Sequence, residues 1–112
     1  MEAVSLTALA DEQIAEARTS SAGRSVHTIY GGRDKRMRQM VVALLAGRTL
    51  GEHDNPGDAT LQVLIGRVRL DAGDDSWPAD AGDLLVVPQM RHDLAAIEDS
   101  VVLLSSVTTA GE

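Results

Sequence analysis

Residues that form turns interrupt this chain at short intervals, and this spacing limits what it can fold into. The interruptions are Gly31–Asp34, Gly47, Asn55–Asp58, Gly66, Ala72–Asp75, Asp80–Asp83, Pro88 and Glu98–Asp99. Between them lie short apolar segments, and in Thr60–Ile65 the apolar Leu61, Val63 and Ile65 alternate along one face. The sequence therefore predicts an all-β fold of eight or more short strands. The pattern alone does not distinguish a sandwich from a barrel.

A helix is predicted before the strands, over residues 5–22. Four apolar residues lie along one side of it: Leu6, Leu9, Ile14 and Ala17. Ser5 is a suitable N-cap, and Gly23 is a suitable stop. Because the apolar stripe is narrow, we expect the helix to lie on a surface or across a partner subunit. The sequence thus divides into a helical extension at 1–24 and a β-barrel domain at 25–112, whose tail at 110–112 is expected to fray.

Two further segments lack polar alternation and predict buried strands. Arg38–Ala46 is almost unbroken in its apolar character, which indicates burial on both faces or an interface. Leu84–Val87 is predicted to be a buried strand that Pro88 terminates. Shorter or more polar strands are expected at Thr49–His53 and Asp93–Ile97.

Composition excludes several classes of function. The net charge of −7 repels phosphate backbones, and Trp77 and Tyr30 are the sole aromatic residues, so no nucleic-acid partner is expected. Because cysteine is absent, there is no disulfide and no thiolate ligand. The apolar runs are too short to span a bilayer, so no membrane partner is expected and a cytoplasmic location is the default.

Two groups of residues resemble the motifs of the cupin superfamily. Gly47 is followed after five residues by His53-Asp54-Asn55 and then by Gly66, as in the first cupin motif. Gly82 is followed after five residues by Pro88 and then by His92, as in the second. The whole chain looks like the small single-domain cupins of the conserved-barrel, RmlC-like type, whose function is uncharacterised. The resemblance implies a jelly-roll β-barrel, and a homodimer to which the apolar Met40–Ala46 segment would contribute.

The same resemblance implies a metal site that is incomplete here. Of the four usual ligands, His53 and His92 are present, whereas Asn55 stands where the family has its second histidine. The glutamate position falls on Ala59, with Asp58 beside it. Asn55 or Asp58 could complete a site for zinc, iron, nickel, manganese or copper, and a protein without any metal is the alternative.

Three functions remain open at this point. The first is binding of a small polar metabolite in the barrel mouth by residues that include His53, Asn55, Gln62, Arg91 and His92. The second is a metal-dependent enzyme of the dioxygenase or isomerase type. The third is an oligomerisation or interaction domain with a vestigial pocket. The sequence does not decide whether the protein is an enzyme.

Overall fold

The computed structural model describes residues 3–55 and 57–107, which contain eight antiparallel strands and one helix. In chain order these elements are α1 (Leu6–Thr19), β1 (Arg24–Tyr30), β2 (Met37–Leu44), β3 (Asp58–Ile65), β4 (Arg67–Ala72), β5 (Asp75–Asp80), β6 (Leu84–Val86), β7 (Asp93–Ala96) and β8 (Ser100–Val107). They form a five-stranded sheet in the order β1-β2-β8-β3-β6 and a three-stranded sheet in the order β5-β4-β7. Aliphatic side chains of both sheets share one core. The predicted all-β jelly-roll fold is confirmed.

Helix α1 begins and ends largely as its sequence predicts. The Ser5 hydroxyl accepts a hydrogen bond from the amide of Ala8 at 3.2 Å, so Ser5 is the N-cap. The helix ends at Thr19, earlier than predicted, because Ser20 is already extended; Gly23 then turns the chain with a φ of 67°. Within the described residues no helix is long and apolar enough to cross a membrane. Helix α1 lies on the outer face of its own five-stranded sheet.

Burial on both faces is confirmed for the middle of the predicted segment Arg38–Ala46, at residues 41–44, whereas its two ends are exposed. Val41 and Ala43 are buried beneath α1, whereas Val42 points into the core between the two sheets. Contacts within one chain therefore account for the apolar run. The homodimer stays a prediction. The apolar character of β2 does not require a second subunit to cover this strand.

The buried strand predicted at Leu84–Val87 is wrong in its burial. Leu84 and Val86 are 60% and 76% exposed, because β6 lies at the edge of the sheet and these two side chains point to its uncovered outer face. Leu85 pairs with Leu61 and points inward, and Val87 is 3% exposed. Inward and outward side chains therefore alternate along this segment, even though every one of its residues is apolar.

Two smaller predictions also differ from the structure. The register shifts between Val63 and Ile65, so Ile65 packs with the cluster beneath α1 and does not share the inner face of Leu61 and Val63. The segment Thr49–His53 makes two isolated bridges to the segment after Pro88 and is not a continuous strand. Part of the turn predicted at 55–58, and the tail at 110–112, lie outside the described residues.

Replacing Gln13 with leucine should stabilise the protein. Gln13 is 4% exposed between α1 and the sheet, and its side-chain oxygen has no hydrogen-bond partner among the described residues. An unsatisfied buried acceptor costs about 1–3 kcal/mol, so we expect Gln13→Leu to raise the free energy of unfolding by about 1 kcal/mol. Urea unfolding measures the change. Glu12→Leu, on the exposed side of α1, is the matched control, and an equal gain there would contradict the explanation.

Candidate functional site

A cavity of about 340 Å³ lies between the two sheets. Its wall is aliphatic, with side chains from both sheets that include Val42, Leu61, Leu70, Leu94, Val102 and Leu104. Its polar lining comes from His53, Asp54, Asn55, His92 and Ser106. His53 is exposed and His92 half-buried, so the polar residues lie at the mouth and the wall behind them is apolar.

The two histidines meet at this mouth. The His53 amide donates to the His92 carbonyl at 2.8 Å, and the His92 amide donates to the His53 carbonyl at 2.9 Å. Two residues that exchange both bonds lie directly opposite each other, with side chains on the same face. The ring centroids are 6.3 Å apart, and the ring planes are tilted by 34°. The backbone bridge therefore brings together two imidazoles from opposite ends of the central sequence.

The His92 ring is oriented by its own loop. Its Nδ1 lies 3.0 Å from the carbonyl oxygen of Met90. Because a carbonyl only accepts hydrogen bonds, Nδ1 is the donor, and in the neutral ring Nε2 is left with a lone pair. The Met90 carbonyl therefore orients the His92 ring and leaves Nε2 as its other polar atom.

Asn55 connects the loop after His53 to the end of β6. Its side-chain nitrogen donates to the carbonyls of Val87 at 3.2 Å and Pro88 at 3.3 Å. The amide nitrogen is used in this way, and the Oδ1 atom is the remaining polar atom of the side chain. Asn55 lines the cavity, and it holds the loop in place as well as contributing a polar atom.

Strand β3 determines which neighbouring residues reach the cavity. Ala59 pairs with Ser106 and lines the cavity, as its 9% exposure and inward register require. Asp58 and Gln62 stand at positions of the opposite face, where the Gln89 amide donates to Asp58 at 3.4 Å. Neither of them lines the cavity. The carboxylate that could have joined the histidines thus points away from them.

Arg91 lies outside the cavity as well. It pairs with Glu52 at 3.0 Å and with Asp54 at 3.7 Å, in a shallow polar cleft that His92 also borders. Asp93, which follows it by two positions, instead accepts from the amide of Gly51 at 2.9 Å. The third histidine of the chain, His27, is exposed on β1. Of the predicted site residues, the structure brings together His53, Asn55 and His92.

Asp71, which also borders this polar cleft, forms an ion pair with Arg69. Arg69 Nε donates to Asp71 at 2.8 Å, and the Ser76 hydroxyl donates to the same carboxylate at 2.7 Å. The hydrogen bond from Arg69, and then that from Ser76, hold the pKa of Asp71 below its usual range. The carboxylate is therefore already occupied by partners within its own sheet.

The donors at the mouth do not fit a resident metal ion. Within the described residues no group of three or more His, Asp or Glu side chains is arranged to hold one. Two imidazoles and one neutral amide oxygen are a weak set, because a catalytic site usually has three protein ligands and a carboxylate offsets the charge of the cation. Where the cupin resemblance places that carboxylate, the chain has the methyl group of Ala59.

Sequence reasoning missed Ser106 and the aliphatic wall. Val102, Leu104 and Ser106 point inward from β8, and each pairs with an inward residue of β3. The alternation of Val102, Leu104 and Ser106 was the signal that could have found them. It was obscured because Val101 and Leu103 on the other face are equally apolar and pack beneath α1.

Comparison with known proteins shows the fold. No family model and no curated protein matches the chain. A conserved protein of unknown function from Streptococcus pyogenes superposes with a TM-score of 0.73 and 24% identity, over 82% of this chain and 80% of that one. A cupin superfamily protein from Desulfitobacterium hafniense gives 0.67 and 19%, over 76% and 79% of the two chains. A Cupin 2 conserved barrel domain protein from Salinispora arenicola gives 0.69 and 17%, over 98% and 90%. The chain has the cupin fold.

Proposed function

We propose that this protein binds a small amphipathic molecule, with the apolar part inside the barrel and the polar group at the mouth. The observation that carries the proposal is the aliphatic cavity of about 340 Å³ with His53, Asn55 and His92 at its mouth. Its volume is at the lower end of the range for small-molecule sites, and its composition is typical of them: mostly apolar with a few convergent polar groups.

The composition of the wall refines the expected ligand. The sequence predicts a small polar metabolite, but a wholly polar molecule would lose its hydration against aliphatic side chains without gaining hydrogen bonds in return. A hydrocarbon chain gains about 0.8 kcal/mol for each methylene group that it buries there. The lining therefore supports a ligand that is polar at one end only.

The rival functions have less support. A metal-dependent enzyme needs a metal-binding carboxylate beside the two histidines. Strand β3 does not place one there, because Ala59 faces inward and Asp58 faces outward. An interaction domain would use an uncovered surface such as the outer face of β6, and it would leave the cavity without a role. Closing the cavity separates this second rival from a binding protein.

Ala59→Phe should abolish binding of straight-chain alcohols, used as neutral probes, by filling the mouth with an aromatic ring. In the wild type we expect the unfolding temperature to rise with alcohol concentration, and the effect to grow with chain length until the cavity is full. Thermal-shift measurements and calorimetric titration report both effects. We expect Ala59→Phe to weaken binding at least about tenfold.

Thr60→Phe is the matched control, because residue 60 stands on the outer face of the same strand. It should bind as the wild type does, and circular dichroism verifies that both variants fold. Equal binding by Ala59→Phe and Thr60→Phe would contradict the cavity as the site. No stabilisation of the wild type by any alcohol would favour the interaction domain.

A further inference from the structure

We propose that the polar group of the ligand is a carboxylate, and that Arg38 binds it. This inference rests on the proposed function, since it names the chemical class of the molecule in the cavity. The inference depends on the position of Arg38, on the absence of an ion-pair partner for it among the described residues, and on the packing of its aliphatic stem.

Arg38 lies on the cavity face of β2 at the open end of the barrel. On that strand Met40 and Val42 line the cavity, and residue 38 is the next position on the same face. Its backbone partner across the sheet is Ser106, which lines the mouth. Residue 38 therefore stands one position beyond the cavity lining of β2, opposite a residue of the polar rim.

Among the described residues Arg38 makes no ion pair or side-chain hydrogen bond, unlike four other arginines. Arg18, Arg67, Arg69 and Arg91 each lie within 3.5 Å of a carboxylate oxygen. On a chain of net charge −7, carboxylates are abundant, yet none of the described ones approaches Arg38. The cation is thus available to an anion from outside.

The stem of Arg38 is packed, whereas its guanidinium has no ion-pair or hydrogen-bond partner among the described residues. Gly31, in the hairpin between β1 and β2, has a φ of 132°, and a side chain there would lie 3.1 Å from Arg38 Cγ. The hairpin backbone thus lies against the arginine stem, which limits the positions that the head can take. The same hairpin carries Arg33 and Arg36 beside an Asp34–Lys35 ion pair, so its net charge is positive at this end of the sheet.

The acidic side chains near the mouth interact with partners other than Arg38. Asp54 lines the cavity, but its carboxylate lies 3.7 Å from Arg91, which also holds Glu52. Asp58 stands on the outer face and accepts a hydrogen bond from Gln89. The planar guanidinium of arginine matches a carboxylate with two parallel hydrogen bonds, which favours this head group over a neutral hydroxyl.

Three probes with the same eight-carbon chain test the head group by calorimetric titration: octanoate, octanol and octylammonium. In the wild type we expect octanoate to bind about tenfold more tightly than octanol, and octylammonium to bind most weakly. In Arg38→Gln the affinity for octanoate should fall about tenfold while that for octanol stays the same. Arg33→Gln removes the same charge from the hairpin tip and should change octanoate binding much less.

The outcomes separate the two proposals. Octanol and octanoate binding with equal affinity would overturn the carboxylate and leave the cavity function intact. A loss in Arg33→Gln equal to that in Arg38→Gln would overturn the specific role of Arg38, because net charge would then explain it. If none of the three probes binds to folded wild-type protein, both proposals fail.

Discussion

Replacing Asn55 with histidine and Ala59 with glutamate together should create a site that binds Zn²⁺ at least about 100-fold more tightly than the wild type. The backbone already brings the His53 and His92 rings to a centroid separation of 6.3 Å. Residue 59 lines the same cavity, as does residue 55. The two substitutions add an imidazole and a carboxylate to the pair of histidines, at a mouth whose own acid, Asp54, is paired with Arg91.

A competition titration against a chromophoric chelator measures the gain. Without metal, the carboxylate at position 59 should lower the free energy of unfolding by about 1–3 kcal/mol, and Zn²⁺ should restore it. The control is Asn55→His combined with Thr60→Glu, which loses the same hydrogen bonds of Asn55 and adds the same charge on the outer face. Equal zinc affinity in the two double variants would show that residue 59 does not contribute a ligand.

This contrast between neighbouring positions shows how far the sequence could predict the site. The cupin resemblance implied that residues 53 and 92 converge, and a backbone bridge joins them. The sequence could not decide whether Asp58 or Ala59 points inward, since a shift of one residue reverses every side chain of a strand. That choice depends on the pairing of β3 with β8, which is a property of two distant segments.

The fold was more predictable than the burial of individual strands. Turn residues divide the chain locally, so most of the strands could be inferred from the sequence alone, although β5 was missed between two predicted turns. The exposure of Leu84 and Val86 could not be inferred, because it depends on β6 lying at the edge of a sheet, where none of the described residues covers its outer face. Gln62 and Arg91 were chosen for their chemistry, but one is directed outward by its register and the other is held by Glu52.

The glycines are the part of the motif whose physical role the structure explains most fully. Gly47, Gly66 and Gly82 have φ values of 81°, 84° and 94°, in the region that side chains avoid. Their surroundings differ, however. A side chain at Gly47 or Gly82 would meet nothing within 4 Å, whereas one at Gly66 would overlap the Asp99 carbonyl and the Ser100 hydroxyl. Glycine is therefore required at residue 66 both by its positive φ and by the lack of space for a side chain.

Gly66→Ala should accordingly lower the free energy of unfolding by about 3–5 kcal/mol, whereas Gly82→Ala should lower it by about 1–2 kcal/mol. Both variants force alanine into the left-handed region, so this part of the cost is shared. Gly66→Ala also displaces Ser100, which is 1% exposed and accepts from the Arg67 amide at 3.0 Å. Urea unfolding compares the two variants. If Gly66→Ala does not fold while Gly82→Ala does, the result agrees with the expectation. Equal losses would mean that the bend relaxes away from Ser100, and that backbone conformation alone selects glycine at residue 66.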